Sequence, residues 1–348
     1  MSCPNFYLNN IQAKNTVSKI ALVVVNFGGP RNLLEVPDFL GELLTDSDVI
    51  RTPFPSFLVR WLFRIIAKKR APKVTKDYAK IGGKSPIFDD TEWIAKALGE
   101  TLQVPTLAFH RYLKSTHKGF FESLHKIEAE KILVFPLFPQ FSYVTTGSIA
   151  RYFSLHVKKE TLQKMSWIAS YPTNENYIKS FCSLIREFLQ EKGLKEVTLL
   201  FSAHGLPVKY IEQGDPYQGE CEASFKAIAK EFPQHTSLLA YQSKFGRGEW
   251  LKPSTLEICI NPYLFLDPKK PVVFIPLSFS SDHIETLFEV EEEYVKPLQA
   301  LGFLAYRCPA LGRRKDWVEA VKEIIQRSNL VENKKLIRPS KKFIKNRT

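Results

Sequence analysis

Along nearly the whole chain, short β-branched and aliphatic runs alternate with stretches of helical pattern. "KIALVVVNF" (19–27) reads as a strand; "GGP" stops it, and "NLLEVPDFLGELL" (32–44) reads as a helix. The same signals predict further strands at 104–110, 131–137, 166–170, 196–203, 236–242, 271–277 and 303–307. Helical patterns fill the gaps at 90–103, 117–129, 145–157, 175–191, 217–231, 284–299 and 314–328. Such alternation implies parallel sheets with helices on both faces, because a parallel neighbour needs a long crossover. In sheets of that kind, ligands bind beyond the carboxyl ends of the strands.

The alternation also repeats itself. "KILVFPLFPQFSYVTTGSI" (131–149) parallels "PVVFIPLSFSSDHIETLFE" (271–289) at one offset of 140, with Pro136-Leu137 on Pro276-Leu277 and Thr146 on Thr286. "VVVNFGGP" near the start resembles "LLFSAHGLP" (199–207) in the middle. Two related α/β halves facing across a cleft follow, with a boundary in the turn-rich link near 172–176. The expected division is 1–172, 173–312, a C-terminal helix at 313–330 packing back on the first half, and a basic tail at 331–348.

A chain of 348 residues has room for two domains with cores of their own. Its net charge of +13 is local: 51–73 and 333–348 each carry seven basic residues and no acid, leaving 35 basic against 36 acidic elsewhere. The body is therefore no platform for nucleic acid, and no recognition motif for one appears. The five cysteines form no CxxC pair, so reduced structural thiols are expected rather than a disulfide framework or a zinc site. Neither a secretory nor a mitochondrial leader pattern opens the chain, and no run reaches the ~18–20 apolar residues of a spanning helix.

Three stretches carry chemistry. In "LLFSAHGLP", His204 stands at the mouth of a buried strand, either bonded structurally to backbone or projecting into the cleft. In "SFSSDHIETLFEVEEEY" (278–294), Asp282 is placed to cap a helix from His283, and Glu285, Glu289 and Glu293 fall at i, i+4 and i+8. That stripe is a solvated face or a path for cations and protons, since carboxylates suit hydrated divalent metals. In "PSFLVRWLFRIIAKKR" (55–70), Arg60, Arg64 and Lys68 form one basic stripe and Phe57, Trp61, Phe63 and their neighbours a broad apolar arc. It is a helix for a membrane interface or greasy ligand, or a domain helix whose arginines snorkel outward. "YAKIGGKSPI" (78–87) is a Gly-rich turn without the Walker pattern, and Arg111 in "HRYL" could take a carboxylate bidentately.

Together these stretches resemble the ferrochelatases, which insert Fe(II) into a porphyrin at the end of haem synthesis. The resemblance runs from about Ala21 to Arg327 and rests on "NFGGP", "LLTDSDVIRTP", "IGGKSPI", "HRY", "FPQFSYVTTGS", "LFSAHGLP", "GDPY", "YQSKFG…W" and "SFSSDHIETLFE". It implies a chelatase-like α/β fold of two Rossmann-like halves, each a parallel sheet flanked by helices, around a porphyrin cleft. It makes His204 and Glu285 the catalytic and metal-facing pair, one acting as proton acceptor or metal ligand beside the other. Asp282, His283, Glu289 and Glu293 match the metal and proton path. Phe27, Tyr78, Ser85, Arg111, Tyr112, Gln140 and Trp250 match positions lining or propping the porphyrin pocket.

The chain departs from the family pattern in three places. Phe27 stands where some members present a Tyr or Met to the metal, and Phe cannot ligate iron. No C-terminal cysteine cluster follows Cys308, so no iron–sulfur centre and no permanently bound cofactor are expected, with ferrous iron as substrate. Lys84 replaces a Gly in the Gly-rich turn. The apolar arc at Phe57, Trp61 and Phe63, within 51–73, corresponds to a lip over the cleft in membrane-associated members. It points to protoporphyrin IX as substrate and to a cytoplasmic enzyme touching the inner face of the membrane. The competing readings are a coproporphyrin III ferrochelatase, a chelatase for another metal, and a porphyrin or haem carrier without catalysis.

Overall fold

The computed structural model describes residues 19–339 except Pro53 and Arg247. Cys3 and the segment 340–348 of the expected tail lie outside the described residues.

The first half is built on β1 (Ile20–Asn26), β2 (Thr106–His110), β3 (Lys131–Pro136) and β4 (Met165–Ile168). They lie side by side in the order β2-β1-β3-β4, all parallel. The second half uses β5 (Thr198–His204), β6 (Thr236–Gln242), β7 (Val272–Pro276) and β8 (Ala305–Arg307) in the order β6-β5-β7-β8, again all parallel. The two orders are the same topology used twice. β3 and β7, the strands that matched at an offset of 140, occupy equivalent places. So do β1 and β5, which puts Phe27, just past β1, in the place that His204 holds at the end of β5.

The first half carries α1 (Val36–Leu44), α2 (Ser56–Lys80), α3 (Pro86–Leu102), α4 (Lys114–Lys126), α5 (Thr146–His156) and α6 (Lys159–Gln163). The second carries α7 (Glu175–Glu191), α8 (Val208–Glu212), α9 (Tyr217–Ala229), α10 (Thr255–Ile260), α11 (Pro262–Phe265) and α12 (Lys296–Ala300), followed by α13 (Lys315–Arg327). α13 has one apolar face, with Trp317, Val321 and Ile324 fully buried. That face joins Leu22 and Phe135 of the first sheet and Leu199, Phe201 and Ile275 of the second in one core. Burying such a stripe is what holds an amphipathic helix of this length in place.

Two expectations are corrected here. The chain beyond 330 is not a free tail at its start: β9 (Leu330–Glu332) pairs antiparallel with β4, and Leu336 is buried beside Phe153 and Trp167. An edge strand offers unpaired backbone groups, and three residues of the C-terminal segment cover them. The helix expected at 284–299 is a π-helix over Glu285–Val295 that passes into α12.

The halves are also joined by polar groups. In the loop after β3, Ser142 Oγ donates to Asp215 at 2.9 Å, Phe141 N–H donates to Glu220 at 2.7 Å, and Gln140 Nε2 donates to Ser224 Oγ at 2.8 Å. Burial pushes the Asp215 and Glu220 carboxyls up, and these donors pull them back. "GDPY" is thus a docking point between halves.

Candidate active site

β5 is buried along its length until His204, where the strand ends and the side chain emerges. Gly205 is needed behind it, because a Cβ there would lie 2.7 Å from the Gln242 carbonyl oxygen. The His204 N–H donates to Ser278 Oγ at 3.0 Å, tying the strand end to the loop after β7. That loop leads into the π-helix, whose first residue is Glu285. The two side chains meet there, with His204 Nδ1 2.9 Å from Glu285 Oε2.

A carboxylate only accepts, so Nδ1 carries the proton of this bond and Nε2 is left as the free lone pair of the neutral ring. The side chains are 34% and 31% exposed, enough to face a ligand. Burial alone would lower the His204 pKa; the charge and hydrogen bond of Glu285, then the charge of Glu289, outweigh it and hold it above 6.5. Burial alone would raise Glu285; the charge and hydrogen bond of His204, then His283, hold it well below the usual carboxylate range. His283 Nε2 stands 3.5 Å from the same Oε2. Phe279 lies edge-on to His204 and 4.7 Å from the His283 ring.

Glu289, one turn along, behaves oppositely. Burial and then the neighbouring Glu285 charge raise its pKa. It accepts from Ser243 N–H at 2.8 Å, Ser243 Oγ at 2.5 Å and Tyr294 Oη at 2.5 Å. The two neighbouring carboxyls are thus pushed in opposite directions by their surroundings. Glu293, the last of the stripe, is exposed. In a π-helix the i→i+5 bonding widens the turn, so four residues fall just short of one turn and the stripe stays on one face. It runs from the His204 pair to solvent.

Asp282 does not cap the helix by a backbone bond. It accepts from Thr286 Oγ1 at 2.7 Å and from an Arg307 terminal nitrogen at 2.9 Å, and is held in an ion pair within the second half.

From the first half, the end of α2 reaches this site. Tyr78 is buried, and burial first, then the charge of Glu285, keep its phenol protonated. Lys80 lies 5.0 Å from the Phe288 ring centroid and Arg70 4.6 Å from that of Phe245, both across the halves. Ser85 is buried against Gly29, where a Cβ would lie 2.5 Å from the Ser85 Cβ. Lys84, at the departure in the Gly-rich turn, pairs with Asp89 at 2.7 Å.

The remaining pocket candidates gather elsewhere. Arg111 takes a carboxylate, but that of Asp46 in the same chain, at 2.8 Å; its Nε donates to Ser148 Oγ at 3.2 Å. Tyr112 Oη donates to the same Asp46 oxygen at 3.1 Å. Phe27 packs on Tyr112 and Phe138, with ring centroids 5.1 and 4.8 Å apart. Gln140 is buried in the seam between halves, and Trp250 lies against Gly205, behind His204.

The expected lip is divided. Phe57 and Trp61 of α2 are 69% and 65% exposed, with Leu58, Leu62 and Ile65 beside them. Phe63 instead turns inward against Leu40 and Leu44 of α1, because α1 covers that face. Among the described residues no helix is long and apolar enough to cross a membrane. Nor, among them, do three or more His, Cys, Asp or Glu side chains form a ready metal cluster.

Ser278, Gln242, Ser243, Tyr294 and Asp46 were not singled out from the sequence. "YQSK" and "LLTDSD" held the signal for three of them, Gln242, Ser243 and Asp46, as polar residues set next to apolar strand or helix ends.

A parallel sheet order used twice, with a strand-end histidine paired to a carboxylate at a helix start, defines a chelatase-type α/β fold. In fold it is similar to SirB from Bacillus subtilis, solved with Fe3+ (TM-score 0.51, 13% identity, 89% of this chain and 94% of that one). The chain belongs to the ferrochelatase family, whose profile matches residues 19–329, and its enzymes insert a metal into a porphyrin in haem biosynthesis. It is 43% identical to the ferrochelatase of Chlamydia pneumoniae over 325 residues, covering 92% of this chain and 97% of that protein. It is 44% identical to that of Chlamydia abortus over 318 residues, covering 91% and 98%.

Proposed function

We propose that the protein inserts Fe(II) into protoporphyrin IX to form protohaem, releasing two protons, with His204 as proton acceptor. The observation that carries this is the 2.9 Å bond between His204 Nδ1 and Glu285, which leaves Nε2 free to take a pyrrole proton. Glu285 then stabilises the imidazolium, and ionised oxygen on Glu285 is also suited to strip water from the incoming ion. Protons leave along Glu289 and Glu293. Tyr78, Phe27 and Trp250 support a pocket wall in this reading, while Arg111, Tyr112 and Gln140 prop it from behind. No resident iron–sulfur cluster or other cofactor takes part; iron is substrate.

The exposed Phe57 and Trp61 support a hydrophobic porphyrin met at the inner face of the membrane by a cytoplasmic enzyme. The test is anaerobic metalation followed by absorbance, with Fe(II) or Zn(II) and with protoporphyrin IX and coproporphyrin III in parallel. Faster insertion into protoporphyrin IX is expected. Faster insertion into coproporphyrin III would move the enzyme to another haem route, and binding without insertion would make it a carrier.

A further inference from the structure

His204 and Glu285 belong to different elements, and their 2.9 Å contact needs something that holds both. One residue does. Gln242, the last residue of β6, lies opposite His204 in the strand register. Its backbone carbonyl accepts from Gly205 N–H at 2.8 Å, fixing the chain directly behind His204. Its side-chain Nε2 donates to the backbone carbonyl of Glu285 at 3.1 Å, fixing the first turn of the π-helix.

The amide has no freedom to turn over. The Glu285 carbonyl only accepts, so the NH2 end must face it. The other end, Oε1, accepts from Ser202 Oγ at 2.6 Å, and that hydroxyl lies 2.9 Å from Thr255 Oγ1. Gln242, Ser202 and Thr255 are all buried, so water does not compete for these bonds. The chain of contacts runs from α10 through β5 and β6 to the π-helix.

We infer that Gln242 is the positioning residue of the active site, setting the His204–Glu285 contact through its carbonyl on one side and its amide on the other. The inference rests on the proposed role of that pair. Gln242 is buried, so its loss acts through His204 and Glu285 on the chemical step and leaves the porphyrin face intact.

The test is Gln242→Met, which keeps the volume and the backbone carbonyl and removes the amide. Ser202→Ala follows as a variant that leaves Gln242 in place but unbinds its Oε1, and Thr255→Val as one that removes the hydroxyl beside Ser202 Oγ. For Gln242→Met, kcat for Zn(II) insertion should fall about 10–100-fold, the range seen when supporting hydrogen bonds around metal sites are removed. KM for porphyrin, and fluorescence-measured binding of metal-free porphyrin, should stay within about threefold. Ser202→Ala and Thr255→Val should each lower kcat with the same unmoved KM, by less than Gln242→Met. Wild-type kcat in folded Gln242→Met would overturn the inference, as would equal losses in kcat and porphyrin binding. If Gln242→Met fails to fold, Ser202→Ala decides by the same split. A wild-type protein that inserts no metal would overturn the function proposed above, a result these variants do not mimic.

Discussion

His204 Nδ1 and Glu285 Oε2 stand 2.9 Å apart, one at the end of a β-strand and the other at the first turn of a π-helix. Neither group alone does the work proposed for the pair: the imidazole takes a proton and the carboxylate makes that protonation favourable. His204→Ala should lower metal insertion by roughly 10²–10⁴-fold, the usual weight of a positioned base. Metal-free porphyrin should still bind within about tenfold, since the large apolar face dominates affinity. Wild-type insertion by this variant would remove His204 from the mechanism.

The same pair sets a pH dependence. A protonated imidazole cannot accept, and Glu285 holds the His204 pKa above 6.5. Insertion should therefore rise with pH through a midpoint above 6.5, and the residual activity of Glu285→Gln should rise at lower pH. For stability the signs differ by group. The raised His204 contributes fully below its unfolded pKa and loses its contribution as pH rises through the folded value. The lowered Glu285 contributes above about 4.5 and loses its contribution as pH falls through the folded value. The pair thus stabilises most between about pH 4.5 and 6.5. Activity and melting profiles that match in pH would contradict this opposition.

The division of α2 makes the lip testable without harming the fold. Phe57→Glu with Trp61→Glu changes only exposed positions and should weaken binding to anionic liposomes while leaving the melting temperature within a few degrees. Phe63→Ala should instead destabilise by about 1–3 kcal/mol, because it opens the contact with α1. Undiminished liposome binding by the double variant would end the lip reading.

Asp46 holds Arg111, Tyr112 and Ser148 through a single buried oxygen. Asp46→Asn leaves the Arg111 charge buried and unpaired, at a cost of about 3–5 kcal/mol in a chemical melt. A variant as stable as the parent would mean that water reaches Arg111.

His117 is enclosed between Tyr152 Oη at 2.8 Å and the His110 carbonyl at 2.9 Å, and burial lowers its pKa to about 4. The unfolded chain binds its proton more readily, so stability is lost as pH falls from about 6.5 towards 4, by roughly 3 kcal/mol at most. His117→Gln should flatten that part of the acid melting curve; an unchanged slope would assign it to other groups.

Much of this was legible in the residues. The eight parallel strands fall within a few residues of their expected spans, because β-branched runs bounded by turn residues report the strand period locally. The offset of 140 was a trace of a sheet order used twice. His204 at a strand mouth and Glu285 at a helix start were both visible as positions. Arg111 was visible as a cation able to grip a carboxylate, yet the carboxylate it grips is Asp46, 65 residues away.

By itself the sequence determined the periods: which stretches are strands, which helices, which faces are apolar, and where the motifs of the family stand. Tertiary structure alone decided the partners. Whether Phe63 or Trp61 faces solvent depends on α1 lying against one side of α2. Asp282 belongs to Arg307 because β8 brings that cation beside the loop after β7. The acid stripe became a π-helix, its first turn tied to β6 through Gln242, where local spacing alone favoured an α-helix. Period and polarity are properties of neighbouring residues, whereas burial, hydrogen-bond partner and pKa are set by groups that only folding brings near.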